Sequence, residues 1–257
     1  MLKLATWNVN SLKIRLEQVL AWFEQHQIDI LALQETKTPN ENFPLAAFTE
    51  RGYHVVYSGQ KTYNGVAIIS RQPIENSVTD IPDFDDPQRR ILITSIGDLR
   101  LINLYVPNGA AVGCDKYHYK LHWLTKLNTH IQQELMRYPK LAVVGDFNIA
   151  PEDRDVHDPV AWEGSVLVSP QEREAFAALL ALGLHDSFRL FPQPEKLYSW
   201  WDYRAAGFRR NHGLRIDHIL LSAELAQACV SAQIDKLPRA VERPSDHTPV
   251  LVELNIS

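Results

Sequence analysis

Side chains capable of chemistry stand at the ends of several apolar segments. Glu35 closes the segment ILALQE, and Asp146 and Asn148 follow LAVVG. Asn8 closes LATWN, and Tyr105 closes LINLY. A carboxylate among apolar residues costs free energy unless a cation or a hydrogen-bond donor meets it. Glu35 and Asp146 therefore predict a cation site, whereas an asparagine at a strand end would, alone, also fit an ordinary turn.

A second group of polar residues lies in the last part of the chain. Asp217 interrupts the apolar segment RIDHILLS, and Asp246 and His247 directly precede TPVLVEL. A lone histidine is usually structural, but the candidate acids around this one favour a catalytic role. Oxygen and amide ligands without paired cysteines favour Mg²⁺ or Mn²⁺ over zinc, because hard cations prefer oxygen.

Short strands must position these side chains. Segments that are apolar or β-branched and bounded by turn formers predict strands at LKLATWNV, IDILALQE, HVVYS, GVAIIS, RRILITSI, LRLINLYV, KLAVVGDFN, RIDHILLS and TPVLVEL. Helical periodicity follows Ser11, recurs in YHYKLHWLTKLNTHIQQELMR and follows Ser169, and both serines are candidate N-caps. Several strands follow one another without a helix between them, which favours two packed sheets flanked by helices over an alternating fold.

Length and composition indicate one globular domain over residues 1–257. Of the 257 residues, 45% are hydrophobic and 22% are charged, and no repeat or Gly/Ser-rich linker divides the chain. Two cysteines are too few for a disulfide framework. No segment resembles a leader or a membrane span, so we expect a cytoplasmic protein without membrane contact, and we expect a monomer. With a net charge of −5, a nucleic-acid surface would have to be a local basic patch.

The sequence resembles one known family. The ordered motifs TWNVNSL, LALQETK, NGVAII, INLYVPNG, GDFNIAP, GLRIDHIL and PSDHTPV are similar to those of the endonuclease/exonuclease/phosphatase superfamily, specifically its bacterial exonuclease III branch. The resemblance spans nearly the whole chain. It implies an α/β fold, a four-layered αββα sandwich of two packed mixed β-sheets flanked by helices. It also implies Mg²⁺, with Mn²⁺ as a substitute, and hydrolysis of double-stranded DNA at abasic sites, nicks and blocked 3′ ends.

The resemblance also implies a metal site. Asn8 and Glu35 would bind the ion, and Asp246 would lie near it. Asp146 and Asn148 are candidates for a second ion, and the sequence leaves open whether one ion or two act.

The remaining catalytic roles follow from the same resemblance. Asp146 would orient or deprotonate the attacking water, with Asn148 beside it, and Tyr105 would contact the phosphate. Asp217 would hold His247 protonated, so that the imidazolium donates to the phosphate as negative charge develops there.

Basic residues near the motifs are candidates for contacts to DNA phosphates. They are Lys61, Arg89, Arg90, Arg209, Arg210 and Arg215. Trp200, Leu214 and Ile216 would line a pocket for a flipped-out abasic sugar, as the resemblance suggests. Leu167 lies at the centre of the loop after Asn148, and its bulky side chain is the candidate obstacle to the path of the duplex. Gly164 and Ser165 precede it and leave the loop adaptable, which favours incision over trimming alone.

Other functions are open at this point. A phosphoesterase for a lipid headgroup or small phosphate should show membrane-binding apolar loops, and the sequence has none. A non-catalytic DNA-binding module should have lost a metal ligand or His247, and every such residue is present. An enzyme that trims 3′ ends without incising abasic sites is the remaining alternative to a nuclease with both activities.

Overall fold

The computed structural model describes residues 1–256, so Ser257, the last residue of the predicted domain, lies outside the described part of the chain. The strands are β1 (Leu2–Asn8), β2 (Ile30–Gln34), β3 (His54–Ser58), β4 (Val66–Ser70), β5 (Glu75–Val78), β6 (Ile91–Ile96), β7 (Leu99–Tyr105), β8 (Leu141–Asp146), β9 (His185–Asp186), β10 (Trp200–Trp201), β11 (Gly213–Leu214), β12 (Asp217–Leu221), β13 (Cys229–Ile234) and β14 (Val250–Leu254). The α-helices are α1 (Leu12–Gln25), α2 (Leu45–Thr49), α3 (Asp115–Leu135), α4 (Pro159–Trp162), α5 (Pro170–Ala181), α6 (Gly207–Arg210) and α7 (Ala223–Ala228). In residues 1–256, no helix combines the length and hydropathy that a membrane span requires.

Two mixed sheets carry most of these strands. The first has the strand order β13-β14-β1-β2-β4-β3, and the second has the order β5-β6-β7-β8-β12-β9. In each sheet one central pair is parallel, β1 with β2 and β7 with β8, and the other neighbours are antiparallel. Strands β10 and β11 form a short separate hairpin-like pair.

The alternation of side chains along each strand builds three apolar layers. In β1, Leu2 and Leu4 enter the core between the two sheets, whereas Ala5 and Trp7 face α1 on the outside. Helices α1 and α2 cover the outer face of the first sheet, and α3 and α5 cover that of the second. The predicted four-layered αββα sandwich is confirmed.

Buried amide side chains join the two sheets below the ends of their strands. Asn103 Nδ2 donates to Leu33 O at 3.0 Å and to Ala67 O at 2.9 Å, from the second sheet to the first. Gln34 Nε2 donates to Asn103 Oδ1 at 2.7 Å and to Thr6 Oγ1 at 2.9 Å. Because hydrogen bonds are directional and apolar contacts are not, these amides fix how one sheet sits on the other.

The serines predicted to cap α1 and α5 behave differently. Ser169 Oγ accepts from the Glu172 N–H, and the Glu172 carboxylate accepts from the Ser169 N–H, so the predicted cap of α5 is confirmed as a capping box. Ser11 stands before α1 with a φ of 93°, and its side chain makes no capping hydrogen bond. Ser11 therefore occupies the predicted N-cap position but does not cap the helix through its side chain, and its own N–H donates to Glu35 O at 2.7 Å.

Each strand predicted from the sequence is present, and the strands that the sequence did not predict are short or peripheral. Strands β5 and β13 lie at the edges of their sheets. All of β5 is exposed and β13 is mixed in burial, so neither has the apolar alternation that identifies a half-buried strand.

Arg215 lies in a buried ion-pair network behind β12. Its side chain is 1% exposed, and it donates to Asp155 Oδ1 and to Asp186 Oδ2, each at 2.7 Å. The prediction that Arg215 contacts DNA was therefore wrong, because its charge is already neutralised by two carboxylates inside the protein. Arg209 and Arg210, which precede it in the sequence, are exposed. Because the three arginines lie close together in the sequence, they were predicted to form one basic patch.

His218 joins the same network as a neutral imidazole. Arg215 Nη1 donates to His218 Nδ1 at 3.1 Å, and His218 Nε2 donates to Ile149 O at 2.9 Å. Burial lowers the pKa of His218 to about 4, and the charge of Arg215 acts in the same direction. In the unfolded chain this imidazole titrates near its ordinary pKa of about 6.5. The contribution of the neutral His218 to the free energy of unfolding is therefore fully present above about pH 6.5 and is lost as the pH falls toward the pKa of the folded protein.

We predict that His218 contributes to acid unfolding. Between about pH 7 and about pH 4 the unfolded chain binds a proton here that the folded chain excludes, which lowers the free energy of unfolding by about 3 kcal/mol. His218→Gln cannot titrate, so its free energy of unfolding should fall by about that much less over the same interval. Urea unfolding across this pH range measures the difference, and equal pH dependence in both proteins would contradict the prediction.

Candidate active site

Polar residues from both sheets meet at one edge of the sandwich. Asn8, Tyr105, Asp146 and Asp217 each stand an even number of residues from a side chain of the inter-sheet core, so all of them face the space between the sheets. Tyr105 and Asp217 also stand opposite Asp146 on the two neighbouring strands. The strand alternation that fills the core with apolar side chains therefore ends in a polar cluster.

The Asn8 side chain bridges the acids of the two sheets. Its Nδ2 donates to Glu35 Oε1 and to Asp146 Oδ2, both at 2.9 Å. Its Oδ1 accepts from the Asn10 N–H at 3.0 Å, which fixes the orientation of the amide. The sequence prediction that Asn8 and Glu35 act together agrees with this contact, since the two side chains are direct neighbours.

His247 is held by Asp217 from behind. The His247 Nδ1 lies 2.9 Å from Asp217 Oδ2, and Ser199 Oγ donates to the same oxygen at 2.6 Å. Burial alone would lower the pKa of His247, but the charges of Asp217 and Asp146 outweigh it and raise the pKa to about 10. The ring is therefore an imidazolium at neutral pH, with Nε2 free to donate toward the front of the site.

Asp146 lies in front of this imidazolium. Its Oδ2 is 3.6 Å from His247 Nε2, and its Oδ1 accepts from the Asn148 N–H at 2.9 Å. Burial raises the pKa of Asp146, the His247 charge opposes that rise, and the Asp217 charge adds to it. A carboxylate with a raised pKa is a stronger base, which suits the removal of a proton from water.

Tyr105 presents a neutral hydroxyl to the same cluster. Burial raises its pKa, and the carboxylates of Glu35 and Asp146 raise it further. The Arg90 guanidinium stacks 4.7 Å from the centre of the Tyr105 ring and donates to Tyr105 O at 3.1 Å. Arg90 is only 9% exposed, so it supports Tyr105 from within the protein instead of offering the open phosphate contact that the sequence suggested.

A possible metal-binding group lies at the centre of the site. Glu35, Asp146 and His247 each offer one ligand atom within 4.8 Å of the others. Glu35 Oε2 already attracts a cation, since Lys37 Nζ lies 3.0 Å away. A protonated imidazole cannot ligate a metal, whereas the carboxylates and the Asn8 amide are oxygen donors of the kind that Mg²⁺ prefers. The residues present therefore fit a hard divalent cation beside Glu35.

The structure does not bring Asp246 into that group. Its Oδ1 accepts from Asn10 Nδ2 at 2.9 Å, and its Oδ2 accepts from Trp200 Nε1 at 3.0 Å. Both oxygens of Asp246 are used to orient neighbouring side chains. In this structure Asp246 therefore has a supporting position at the rim, and its predicted place near the ion stays a prediction.

The three residues predicted to line a sugar pocket are neighbours, but they do not enclose an open pocket. Trp200 pairs with Leu214 across the β10–β11 pair and is half-buried. Leu214 is 0% exposed and Ile216 is 1% exposed, and both belong to a closed apolar cluster. Of the three, only Trp200 offers an accessible surface beside the site.

Leu167 is buried too. Its side chain is 4% exposed and its φ is 78°, a left-handed conformation that is uncommon for leucine. Its carbonyl oxygen accepts from the Ala150 N–H at 2.8 Å, which ties the loop to the chain just after the site. In this conformation the Leu167 side chain packs inside the protein and does not project into solvent.

The remaining basic candidates lie on the surface. Lys61, Arg209 and Arg210 are exposed, and Arg89 is half-buried with one guanidinium nitrogen 3.2 Å from Asp80 Oδ1. These side chains keep the access to solvent that a phosphate contact requires.

Sequence reasoning missed three residues of the site, Ser199, Asn10 and Lys37. Ser199 binds Asp217, Asn10 joins Asn8 to Asp246, and Lys37 neutralises Glu35. Lys37 carried a signal, because a cation two residues after a half-buried glutamate is a natural counter-ion. Ser199 carried none, since its partner is 18 residues away and polar side chains between aromatic residues are common.

Comparison with known proteins finds relatives over the whole chain. The model of the Endonuclease/Exonuclease/phosphatase family matches residues 5–247. Exodeoxyribonuclease III of Haemophilus influenzae is 37% identical over 265 residues, which cover 98% of this chain and 99% of that protein.

Solved structures have the same fold. A 3′ phosphatase from Neisseria, bound to a product DNA hairpin, is 45% identical with a TM-score of 0.98 and covers 100% of both chains. An AP endonuclease from Archaeoglobus fulgidus is 39% identical with a TM-score of 0.95, again over 100% of both chains.

We predict that Asp217→Asn lowers the pKa of His247 toward or below the ordinary value of about 6.5, because burial then acts with less opposition. An NMR titration of the histidine ring protons measures this pKa, with the exposed Asp80→Asn as the control. The folded pKa of His247 in the unchanged protein is above the unfolded one, so the lost stability should be largest below about pH 6.5 and should shrink as the pH rises. An unchanged His247 pKa in the variant would refute the assigned pairing.

Proposed function

The chain belongs to the endonuclease/exonuclease/phosphatase family and is a DNA repair nuclease, and we propose that its site hydrolyses DNA phosphodiesters with the help of Mg²⁺. We propose 3′-5′ exonuclease activity on duplex DNA, removal of 3′ phosphates and other 3′ blocks, and incision at abasic sites. Mn²⁺ is the expected substitute for Mg²⁺, because both accept oxygen ligands.

The buried imidazolium of His247 facing Asp146 is the observation that carries this proposal. Their nearest charged atoms are 3.6 Å apart, so a positive donor and a strong base flank the same small space. A phosphodiester bound in front of these two groups needs the donor for its non-bridging oxygen and the base for the attacking water. A site built only to bind DNA would not require a base of raised pKa.

The other side chains complete the catalytic arrangement. Tyr105 donates a neutral hydroxyl to the phosphate, and Asn148 supports Asp146 through its backbone N–H. Glu35 and Asn8 would hold the divalent ion, which supplies positive charge to stabilise the transition state and the leaving oxygen. Asp217 keeps the proton on His247, so the ring donates to the phosphate and does not compete with Asp146 for the water proton.

Exposed basic side chains near the site supply the contacts to the DNA backbone. Lys61, Arg209 and Arg210 reach solvent, and Arg89 is restrained only by an exposed carboxylate, a pairing that is worth little in water. These residues form the local basic surface that an acidic protein needs for binding DNA. Arg90 and Arg215 are excluded from that set by their burial.

Incision of abasic sites is proposed on the accessible face of Trp200. The half-buried indole lies beside the site through its hydrogen bond to Asp246, and an aromatic face suits a sugar without a base. Leu214 and Ile216 form the closed floor below it. The burial of Leu167 supports incision over trimming alone, because its side chain does not project into solvent.

The first test of function is metal-dependent hydrolysis. Release of nucleotides from a nicked duplex should stop in EDTA and return with excess Mg²⁺ or Mn²⁺. Glu35→Gln should lower the rate by on the order of 10²-fold or more, because the ion loses a charged ligand. Glu224→Gln, a change to an exposed carboxylate on α7, should keep full activity. Undiminished hydrolysis in excess chelator would show that the proposed metal role is wrong.

The second test separates incision from trimming. A duplex with one internal abasic site is compared with a nicked duplex that carries a 3′ phosphate, and we expect both to be processed. Processing of only the nicked duplex at saturating enzyme would refute the proposed contact between the abasic sugar and Trp200. In that case Leu167→Gly is informative, since glycine accepts the left-handed backbone at this position, and recovered incision would identify the loop as the obstacle.

A further inference from the structure

Lys120 is buried beneath the two loops that carry Asn108 and Asn148. Its side chain is 0% exposed, and its Nζ donates to Asn148 O at 2.7 Å, to Asn108 O at 3.2 Å and to the Glu172 carboxylate. An ammonium has three N–H donors, and here each has one acceptor. All three N–H groups of Lys120 are therefore hydrogen-bonded, two of them to the site loops and the third to the buried carboxylate of Glu172.

The loops above Lys120 depend on that support. Asn148 has a φ of 49°, and Gly109, next to Asn108, has a φ of 93°. A Cβ on Gly109 would lie 3.2 Å from Lys120 Cδ, so the backbone rests directly on the lysine stem. Asn108 Nδ2 also donates to Asn148 Oδ1 at 3.2 Å, which links the two loops at their side chains. A left-handed asparagine is held here by hydrogen bonds on both its carbonyl and its side chain.

Glu172 anchors Lys120 on the opposite side. Its side chain is 0% exposed, and Oε2 accepts from Ser169 N at 3.1 Å and from Ser169 Oγ at 2.7 Å. Tyr117, on the same helix as Lys120, shares a 2.6 Å hydrogen bond with Ser169 Oγ. The acid is thus fixed by the start of α5, so the position of the ammonium is set by two helices and not by the loops themselves.

We propose that Lys120, anchored by Glu172, is a positioning residue for catalysis that sets the placement of Asn148 and, through it, of Asp146. The connection is short, because Asn148 N donates to Asp146 Oδ1 while Asn148 O accepts from Lys120. This inference rests on the proposed phosphodiester hydrolysis, in which Asp146 activates the water.

A purely structural role would predict a different outcome. Replacing a buried ion pair by uncharged residues of similar volume often leaves the free energy of unfolding unchanged or raises it, because burying the two charges costs desolvation free energy. A pair that only supported the fold should therefore be replaceable with little effect on the rate. A pair that positions a catalytic group should lower kcat, since small displacements of reacting groups cost up to about 10²-fold in rate.

The chain contains a matched control on the same helix. Arg100 and Glu134 form a second ion pair between the second sheet and α3, with Nε and Oε2 2.6 Å apart and both side chains 6% exposed. Glu134 lies about 21 Å farther along α3 than Lys120, at about 1.5 Å of rise per residue. The Arg100–Glu134 pair is about as buried as the Lys120–Glu172 pair but does not contact the site loops. Its replacement therefore shows the effect of losing a buried ion pair without any loss of positioning.

The experiment compares Lys120→Met/Glu172→Gln with Arg100→Met/Glu134→Gln in the full chain. At equal folded fraction, checked by urea unfolding, we expect kcat on a nicked duplex to fall on the order of 10²-fold in the first protein, with KM changed less than about threefold. The control should keep kcat within about threefold of the unchanged enzyme. Hydrogen exchange of the backbone amides of residues 147–150 should accelerate in the first protein only, a result that does not depend on activity.

Equal kcat in the two double variants, or unchanged exchange at residues 147–150, would overturn the proposal. If the first double variant does not fold, Glu172→Gln alone tests the same point. Lys120 binds Oε1 of Glu172 and Ser169 binds Oε2, so the NH₂ group of the glutamine must face one of these donors and the charge that anchors Lys120 is lost. We expect kcat to fall on the order of tenfold, and an unchanged kcat refutes positioning. Inactivity of the unchanged protein would instead refute the proposed function, while the exchange comparison would still decide the role of Lys120.

Discussion

The packing of charged groups between two apolar sheets is the constraint on which the rest of this structure depends. Asp146, Asp217 and His247 are each nearly inaccessible, and an unpaired charge in such a place would cost several kcal/mol. Each charge is therefore met by a fixed partner, Asp217 by His247 and Asp146 by the same ring and by Asn8. The contacts that make burial of these charges possible are the same contacts on which the proposed catalysis depends.

The backbone at the strand ends is shaped by the same requirement. Glu35 and Lys37 have φ values of 49° and 52°, and such left-handed conformations cost non-glycine residues about 1–2 kcal/mol each. The neighbouring strand compensates, since Thr36 N donates to Gly65 O at 3.1 Å and Lys37 N donates to Asn64 O at 2.9 Å. Gly65 must be glycine, because a Cβ there would lie 2.2 Å from Thr36 Oγ1. The NGVAII motif is thus explained by the support that it gives to the loop carrying Glu35.

The sequence by itself determined the sandwich and the centre of the site. Strand formation depends on local alternation and on turn residues nearby, and both can be read from a few consecutive positions. Asn8, Asp146 and Asp217 could be found because each is a polar residue that ends or interrupts an apolar segment and lies in a motif shared with the family. The alternation of side chains directs all three toward the space between the sheets, and the pairing of the strands brings them together there.

Only the tertiary structure decided which of the other residues serve the site. Arg215 and Arg210 are both arginines of one segment, yet the first is closed in by Asp155 and Asp186 and the second reaches solvent. Ser199 supports Asp217 and Lys120 supports Asn148 across 18 and 28 residues of chain. Burial and pairing depend on which surfaces meet after the sheets and helices pack. Because those surfaces come from distant parts of the chain, no local pattern in the sequence records them.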